Sequence, residues 1–170
     1  MSIMFTNELL YKTTELFDFE NPQMDPHELY NLLTDTMIKE RGVGLSANQI
    51  GLPYRVFVMG DPTNRESIIP VFNPTIVFRS DDTMTLDEGC LSFPGLYIKI
   101  KRPTSIRARM TTIDGETDTA TFEGFTARVF QHEYDHMEGY DFRKRANRYH
   151  LDKAMKDLRL LRRKYKWVEQ

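Results

Sequence analysis

Gln131-His132-Glu133-Tyr134-Asp135-His136 is the stretch on which the reading of this chain turns. Residues four apart share one face of a helix, so the run sets two imidazoles one turn apart, with the Glu133 carboxylate about 100° round from His132. Such a pair offers two nitrogen ligands to a metal ion and a carboxylate that reaches the metal's water without ligating the metal. The only cysteine, Cys90, lies in a separate run, Glu88-Gly-Cys-Leu-Ser92. Together these residues point to a Cys90, His132, His136 metal site with one open position, which is a catalytic rather than a structural arrangement. Taken singly, each has a plainer reading: two half-buried histidines on a helix, and a small buried hydrophobe at Cys90.

The helix that carries the run is expected to start near Phe125 and end at Gly139, with Val129, His132 and His136 stacked on one face. Upstream, Asp25-Pro-His-Glu28 marks a helix start. Asp25 caps, Pro26 suits the first helical position because its missing N–H would be unpaired there anyway, and Glu28 completes a capping box. That helix is expected to run to about Glu40 on a stripe of Leu29, Leu32, Leu33 and Met37, with Gly42 and Gly44 ending it. Residues 54 to 59, 68 to 72 and 75 to 78 read as short strands punctuated by Asp61-Pro62 and Asn73-Pro74. A further strand covers 105 to 110, where Ile106, Ala108 and Met110 alternate with polar neighbours, and Asp114-Gly115 marks a hairpin turn. No helical pattern recurs between strands as a parallel βαβ unit would require, so this half is antiparallel in character.

A third helix is expected from about Arg148 to Val168, with Leu151, Ala154, Met155, Leu158, Leu161 and Tyr165 on its buried side. Residues 143 to 166 hold eleven Lys or Arg against Asp152 and Asp157, a net +9, which leaves −11 for the rest of a chain whose total is −2. The basic side of this helix therefore faces solvent or a partner. At 170 residues the chain has material for one substantial core, and one domain over 1–170 is the expectation. No apolar run approaches the roughly 18 residues of a membrane span, and the first residues have no basic stretch followed by an apolar core, so neither membrane span nor signal peptide is expected. A single cysteine makes no intrachain disulfide, and a thiolate ligand must stay reduced, which fits a cytoplasmic setting.

Three motifs in a fixed order give the chain its resemblance. Gly42-Val-Gly-Leu-Ser-Ala-Asn-Gln-Ile-Gly51 comes first, then Glu88-Gly-Cys-Leu-Ser92, then Gln131-His-Glu-Tyr-Asp-His136. Over about residues 25 to 140 the chain resembles the peptide deformylases. The resemblance implies an α+β fold, with antiparallel sheets packed around a central metal-binding HExxH helix and a C-terminal helix beyond. It implies removal of the N-formyl group from formyl-methionine on nascent polypeptides, with release of formate. In that family pattern Cys90, His132 and His136 hold one divalent metal, Glu133 is the catalytic carboxylate, and Gln49 with the backbone N–H of Leu91 stabilises the oxyanion.

The same resemblance implies that the segment at Gly44 pairs with the substrate main chain, and that Glu88, Arg102 and Asp135 form a charged network orienting the imidazoles. Val43, Phe125 and Val129 are the candidates for the methionine slot. Two positions depart from the family pattern: Tyr97 stands where many bacterial members have an arginine near the entrance, and Arg128 where an aliphatic residue often lines the pocket. Ferrous iron is the metal implied in the cell, with nickel or cobalt as competent substitutes and zinc possible in purified protein. Formyl-methionyl nascent peptides are the implied partners, with transient ribosome docking through the basic helix, no stable nucleic-acid complex, no membrane, and a monomeric state.

Two other functions compete. A zinc endopeptidase would cut unformylated peptides internally, but no long zincin extension follows the His pair. A non-enzymatic protein stabilised by metal would keep its function without Glu133. Gly42-Val-Gly44 lacks the remainder of a dinucleotide loop and the Lys-Ser/Thr of a P-loop, so no phosphate site is expected there.

Overall fold

The computed structural model describes residue 3 and residues 8–165. Seven strands form two sheets in which every paired strand is antiparallel. The larger sheet comprises β1 (Gly44–Ser46), β2 (Val56–Met59), β3 (Ile69–Arg79), β6 (Ser105–Thr111) and β7 (Thr117–Glu123), in the order β1-β2-β3-β6-β7. The smaller sheet is one hairpin, β4 (Thr83–Cys90) with β5 (Phe93–Pro103). Helices α1 (Pro26–Lys39), α2 (Gly124–Met137) and α3 (Arg148–Tyr165) complete the α+β fold.

Helix α2 is the centre of the molecule, and its two sides do different work. Ala127, Phe130 and Met137 join Phe57, Val71, Ile106, Ala108 and Phe122 in a cluster under the larger sheet. Phe130 meets Phe57 edge-on at 5.1 Å and Phe122 at 4.9 Å between ring centroids. Burying one such ring stabilises the fold by about 1.5–3 kcal/mol. The opposite side, with His132, Glu133 and His136, is buried just as deeply but polar, and it is turned toward the β4–β5 hairpin. The carbonyls at the C-terminal end of α2 have partners. Asn48 Nδ2 donates to His136 O at 2.7 Å, and Thr14 N donates to Met137 O at 2.9 Å.

The expected α1 is present, with Asp25 Oδ1 accepting from His27 N and Glu28 N. Its end differs from the reading of Gly42 and Gly44 as the stop. Arg41 takes the left-handed conformation, φ 56, and the N–H groups of Arg41 and Gly42 close on the carbonyls of Ile38 and Met37. The left-handed position of a Schellman end thus falls on an arginine, with Gly42 supplying its N–H, and the missing side chains of Gly42 and Gly44 serve the site.

The segments 68 to 72 and 75 to 78 are not two strands but one, β3, irregular in register between Phe72 and Thr75. Asn73, at φ 49, stays in the sheet because its side-chain amide exchanges hydrogen bonds with the backbone of Phe17 at 2.8 and 2.9 Å. Strands β1, β4 and β5 were not anticipated, although Leu96, Ile98 and Ile100 of β5 alternate with less buried neighbours; β7 is the strand that the expected hairpin turn implies. Asp114-Gly115 does turn the β6–β7 hairpin, with Gly115 at φ 86 and Thr112 N donating to Glu116 O. Helix α3 packs on β5 through Leu151, Ala154 and the buried Leu158, but Met155 and Leu161, expected on the buried side, are exposed. Val168 and the Tyr165 side chain lie outside the described residues. Among the described residues no helix is long and apolar enough to cross a membrane.

Candidate metal centre

Cys90 ends β4, and His132 and His136 project from α2 across from it. One ligand atom from each of the three lies within 4.8 Å of the others, and Cys90 Sγ is 3.3 Å from His136 Nε2. Glu88 and Cys90 are two apart on β4 and so project to the same side. Between them the strand register is irregular, and Gly89 faces away under the ring of Tyr97, where a Cβ would come within 2.8 Å of Tyr97 Cε1. The His132 ring is set by Glu88, whose Oε2 lies 3.1 Å from His132 Nδ1. With Nδ1–H donating there, Nε2 is left as the ligating nitrogen.

Burial alone would push the Glu88 carboxyl up, but hydrogen bonds and charge from His132 and Arg102 hold it down at about 2. Glu88 is therefore a fixed anion at the base of the site. Around it runs a buried chain of charges. Arg102 donates from Nε to Glu88 Oε1 at 2.6 Å, from Nη2 to Glu88 Oε2 at 2.9 Å, and from Nη1 to Asp135 Oδ2 at 2.8 Å. Arg145 closes on the other side of Asp135 at 2.6 Å. The three expected network residues, Glu88, Arg102 and Asp135, are thus brought together, and Arg145, read only as part of the basic segment, joins them.

The donor set suits a divalent ion of borderline softness: one sulfur and two imidazole nitrogens. The electrostatics suit one too. Although burial lowers its affinity for a proton, His132 is held well above the usual imidazole range by Cys90, Glu88 and the Glu133 charge, so the pocket favours a positive charge at this point. His136 goes the other way. Burial, then the charges of His132 and Arg102, keep it well below the usual range and therefore neutral, as a ligand must be.

Glu133 Oε2 is buried with no hydrogen-bond partner among the described residues. Burial pushes the Glu133 carboxyl up to about 7, against the His132 charge and the Ser46 hydroxyl, which lower it. Its seat depends on Gly44, because a Cβ there would stand 2.5 Å from Glu133 Oε1. Gln49 is aimed by its neighbours. Ser46 N donates to Gln49 Oε1 at 2.9 Å, so Nε2 is turned to the site, 3.5 Å from Cys90 Sγ and 3.1 Å from Ser92 Oγ. A backbone N–H can only donate, so the atom that it meets is the amide oxygen. Leu91 packs against Gly42, where a Cβ would meet Leu91 Cδ1 at 2.6 Å, so Gly42 brings the first and second motifs together.

These residues line a cavity of about 260 Å³ whose walls include Val43, Gly44, Gln49, Leu91, Tyr97, Phe125, Arg128, Val129 and Glu133. Tyr97 and Phe125 stand at the mouth, 67% and 62% exposed, and Val129 is buried. Arg128 lines the cavity, but its charge is not presented to it. It is 5% exposed, and its guanidinium turns inward to Glu88 and to two backbone carbonyls. Sequence reasoning passed over Ser46, Asn48 and Ser92, although all three stand inside the quoted motifs. Hydroxyl and amide side chains beside a glycine-rich edge strand were the available signal.

The family model for polypeptide deformylase matches residues 3–151. Peptide deformylase 1B, chloroplastic/mitochondrial, of Arabidopsis thaliana is 40% identical over 157 residues, covering 91% of this chain and 55% of that protein. The peptide deformylase of Desulforudis audaxviator is 44% identical over 114 residues, 67% of this chain and 73% of that one. A plant peptide deformylase crystal structure superposes with a TM-score of 0.85 at 34% identity, over 98% of this chain and 91% of that chain.

Proposed function

The chain belongs to the polypeptide deformylase family, and from that membership we propose that it is a metal-dependent amide hydrolase removing the N-formyl group from formyl-methionine at the start of nascent polypeptides, with formate as product. The observation that carries the reading is the placing of the Glu133 carboxylate, whose Oε2 has no hydrogen-bond partner among the described residues, beside the Cys90, His132, His136 cluster, at the wall of an open cavity. A divalent ion held by those three side chains supplies Lewis acidity toward a water and a carbonyl oxygen. Everything else is done by the chain's own groups.

Glu133 takes a proton from the attacking water and returns it to the departing amine nitrogen. Burial raises its affinity for a proton, as suits a group that must take one and give it back. Gln49 Nε2, aimed by the bond from Ser46 N to Gln49 Oε1, and the Leu91 backbone N–H donate to the oxygen on which negative charge builds. Strand β1 is an edge strand, with β2 on one side only. An extended peptide adds along its other edge, with the Gly44 carbonyl as an acceptor. Val43, Phe125 and Val129 take the methionine side chain, and Tyr97 stands at the entrance. The metal in the cell is ferrous iron, with nickel or cobalt as competent substitutes and zinc possible in purified protein.

The protein acts as one catalytic domain, in the cytoplasm and as a monomer. It meets its substrates at the ribosome through the basic residues of α3. Support for that docking is the exposed row of cations, which suits a phosphate-rich surface without sequence readout.

The test is formate release. Iron- or nickel-loaded protein is expected to release formate from formyl-methionyl peptides and to leave unformylated peptides intact. Absence of formate, or internal cleavage of the unformylated peptide, overturns the reading.

A further inference from the structure

The metal ligands come from two separate pieces of the fold. Cys90 belongs to the β4–β5 hairpin, and His132 and His136 to α2. How well the three converge therefore depends on how the hairpin is docked on the helix. Besides the approach of the ligands themselves, Glu88 meets His132, Arg102 donates to Asp135, and Gln131 donates to the Pro103 carbonyl across these two pieces.

Arg128, one turn before His132 on α2, adds three more. Its Nη1 donates to Glu88 Oε1 at 2.6 Å and to the Ile100 carbonyl at 3.0 Å, and its Nη2 donates to the Met84 carbonyl. The acceptors lie on both strands of the hairpin. The fixed fork of a guanidinium spans them, where a single ammonium nitrogen would not. Glu88 Oε1 is shared by Arg102 and Arg128, which fixes the carboxylate so that Oε2 is presented to His132.

We propose that Arg128 is a positioning residue for the metal site: it sets the docking of the cysteine-bearing hairpin on the histidine-bearing helix and, through Glu88, the orientation of His132. The charge is consumed inside the protein, so Arg128 offers no cation to an acidic substrate side chain, although it lines the cavity. The inference rests on the metal-site reading above but not on the identity of the substrate.

The experiment compares cobalt-loaded parent protein with Arg128→Met, which keeps chain length without donors, and Arg128→Lys, which keeps the charge without the fork. The readouts are the thiolate-to-cobalt absorption band and the rate at which a chelator strips the ion. Circular dichroism and thermal unfolding of the metal-free forms report folding. Arg128→Met is expected to lose cobalt about 10–100-fold faster, the range for residues that orient ligands, with an altered band, and Arg128→Lys to fall between. A folded Arg128→Met with the parent's band and stripping rate overturns the proposal, even if it unfolds at lower temperature, because a purely structural role would do that. Should Arg128→Met not fold, Arg128→Lys decides: parental band and stripping rate overturn the proposal, and faster loss with an altered band supports it. No substrate is involved, so a parent that binds cobalt normally and releases no formate would sink the deformylase reading and leave this one standing.

Discussion

Gly44 and Glu133 are in contact across the site, so close that a Cβ on Gly44 would lie 2.5 Å from Glu133 Oε1 and 3.0 Å from its Cδ. Gly44→Ala should therefore push the carboxylate out of place while leaving the metal ligands alone. Turnover is expected to fall by about 100-fold, the scale on which a small misplacement of a catalytic group is felt, with cobalt retention close to the parent's. Equal turnover in the alanine variant would mean that Glu133 has room to shift without loss.

Glu133→Gln keeps the shape and removes the proton-accepting group. It is expected to retain metal and most of its stability while losing at least about 100-fold in turnover. Near-normal turnover with metal bound, measured by formate release alongside metal analysis, would remove the role assigned to this carboxylate.

Cys90→Ala is expected to lower both metal occupancy and activity. Cys90→Ser should also be impaired, because a neutral hydroxyl is a poorer ligand than a thiolate. X-ray absorption on the active parent is expected to find one sulfur bound to the ion. A spectrum with nitrogen and oxygen alone would overturn the assignment.

Phe130→Ala tests the other side of α2. Phe130 is fully buried and flanked by Phe57 and Phe122, so truncation should destabilise the protein by about 3–5 kcal/mol. Chemical denaturation of the metal-free protein measures this directly. A loss under about 1 kcal/mol would show that the cluster collapses to fill the space.

Replacing Arg159, Arg162, Arg163 and Lys166 with Gln should weaken ribosome association in a salt-sensitive way and spare turnover on a short free peptide. Co-sedimentation at two salt concentrations is the measurement. Lys166 lies outside the described residues, and the other three stand on α3. Identical binding by both proteins would leave α3 as a cover for β5.

The centre of the site was legible because its signal is local. The His132–His136 spacing works only on a helix, and α2 is that helix. Cys90 was a candidate by residue type as the single cysteine, whereas Gln49 needed the resemblance, since nothing in residue spacing brings 49, 90 and 132 together. The inward turn of Arg128 was not legible, because the burial of an arginine is decided by its acceptors, and these lie 28 to 44 residues away in the chain. The end of α1 was misread for a related reason. A glycine is the commonest left-handed residue after a helix, yet Arg41 takes that conformation at a cost of roughly 1–2 kcal/mol, and Gly42 and Gly44 answer to Leu91 and Glu133, contacts far off in sequence. Asn73-Pro74 shows the same limit, because the residues that mark a turn also serve in a strand irregularity when a partner such as Phe17 satisfies the amide.

Cys90 and His136 are 46 residues apart in the chain, with β5 and the β6–β7 hairpin between them. In the unfolded polypeptide they have no reason to be near one another, so the complete ligand set exists only in the folded chain. Binding free energy for the ion is then folding free energy. Free ion at one hundred times its dissociation constant would add about 2.7 kcal/mol to the folded state. The temperature at which this chain melts is therefore set partly by its surroundings: a cell short of the metal would hold a protein that is less active and also quicker to unfold and be degraded.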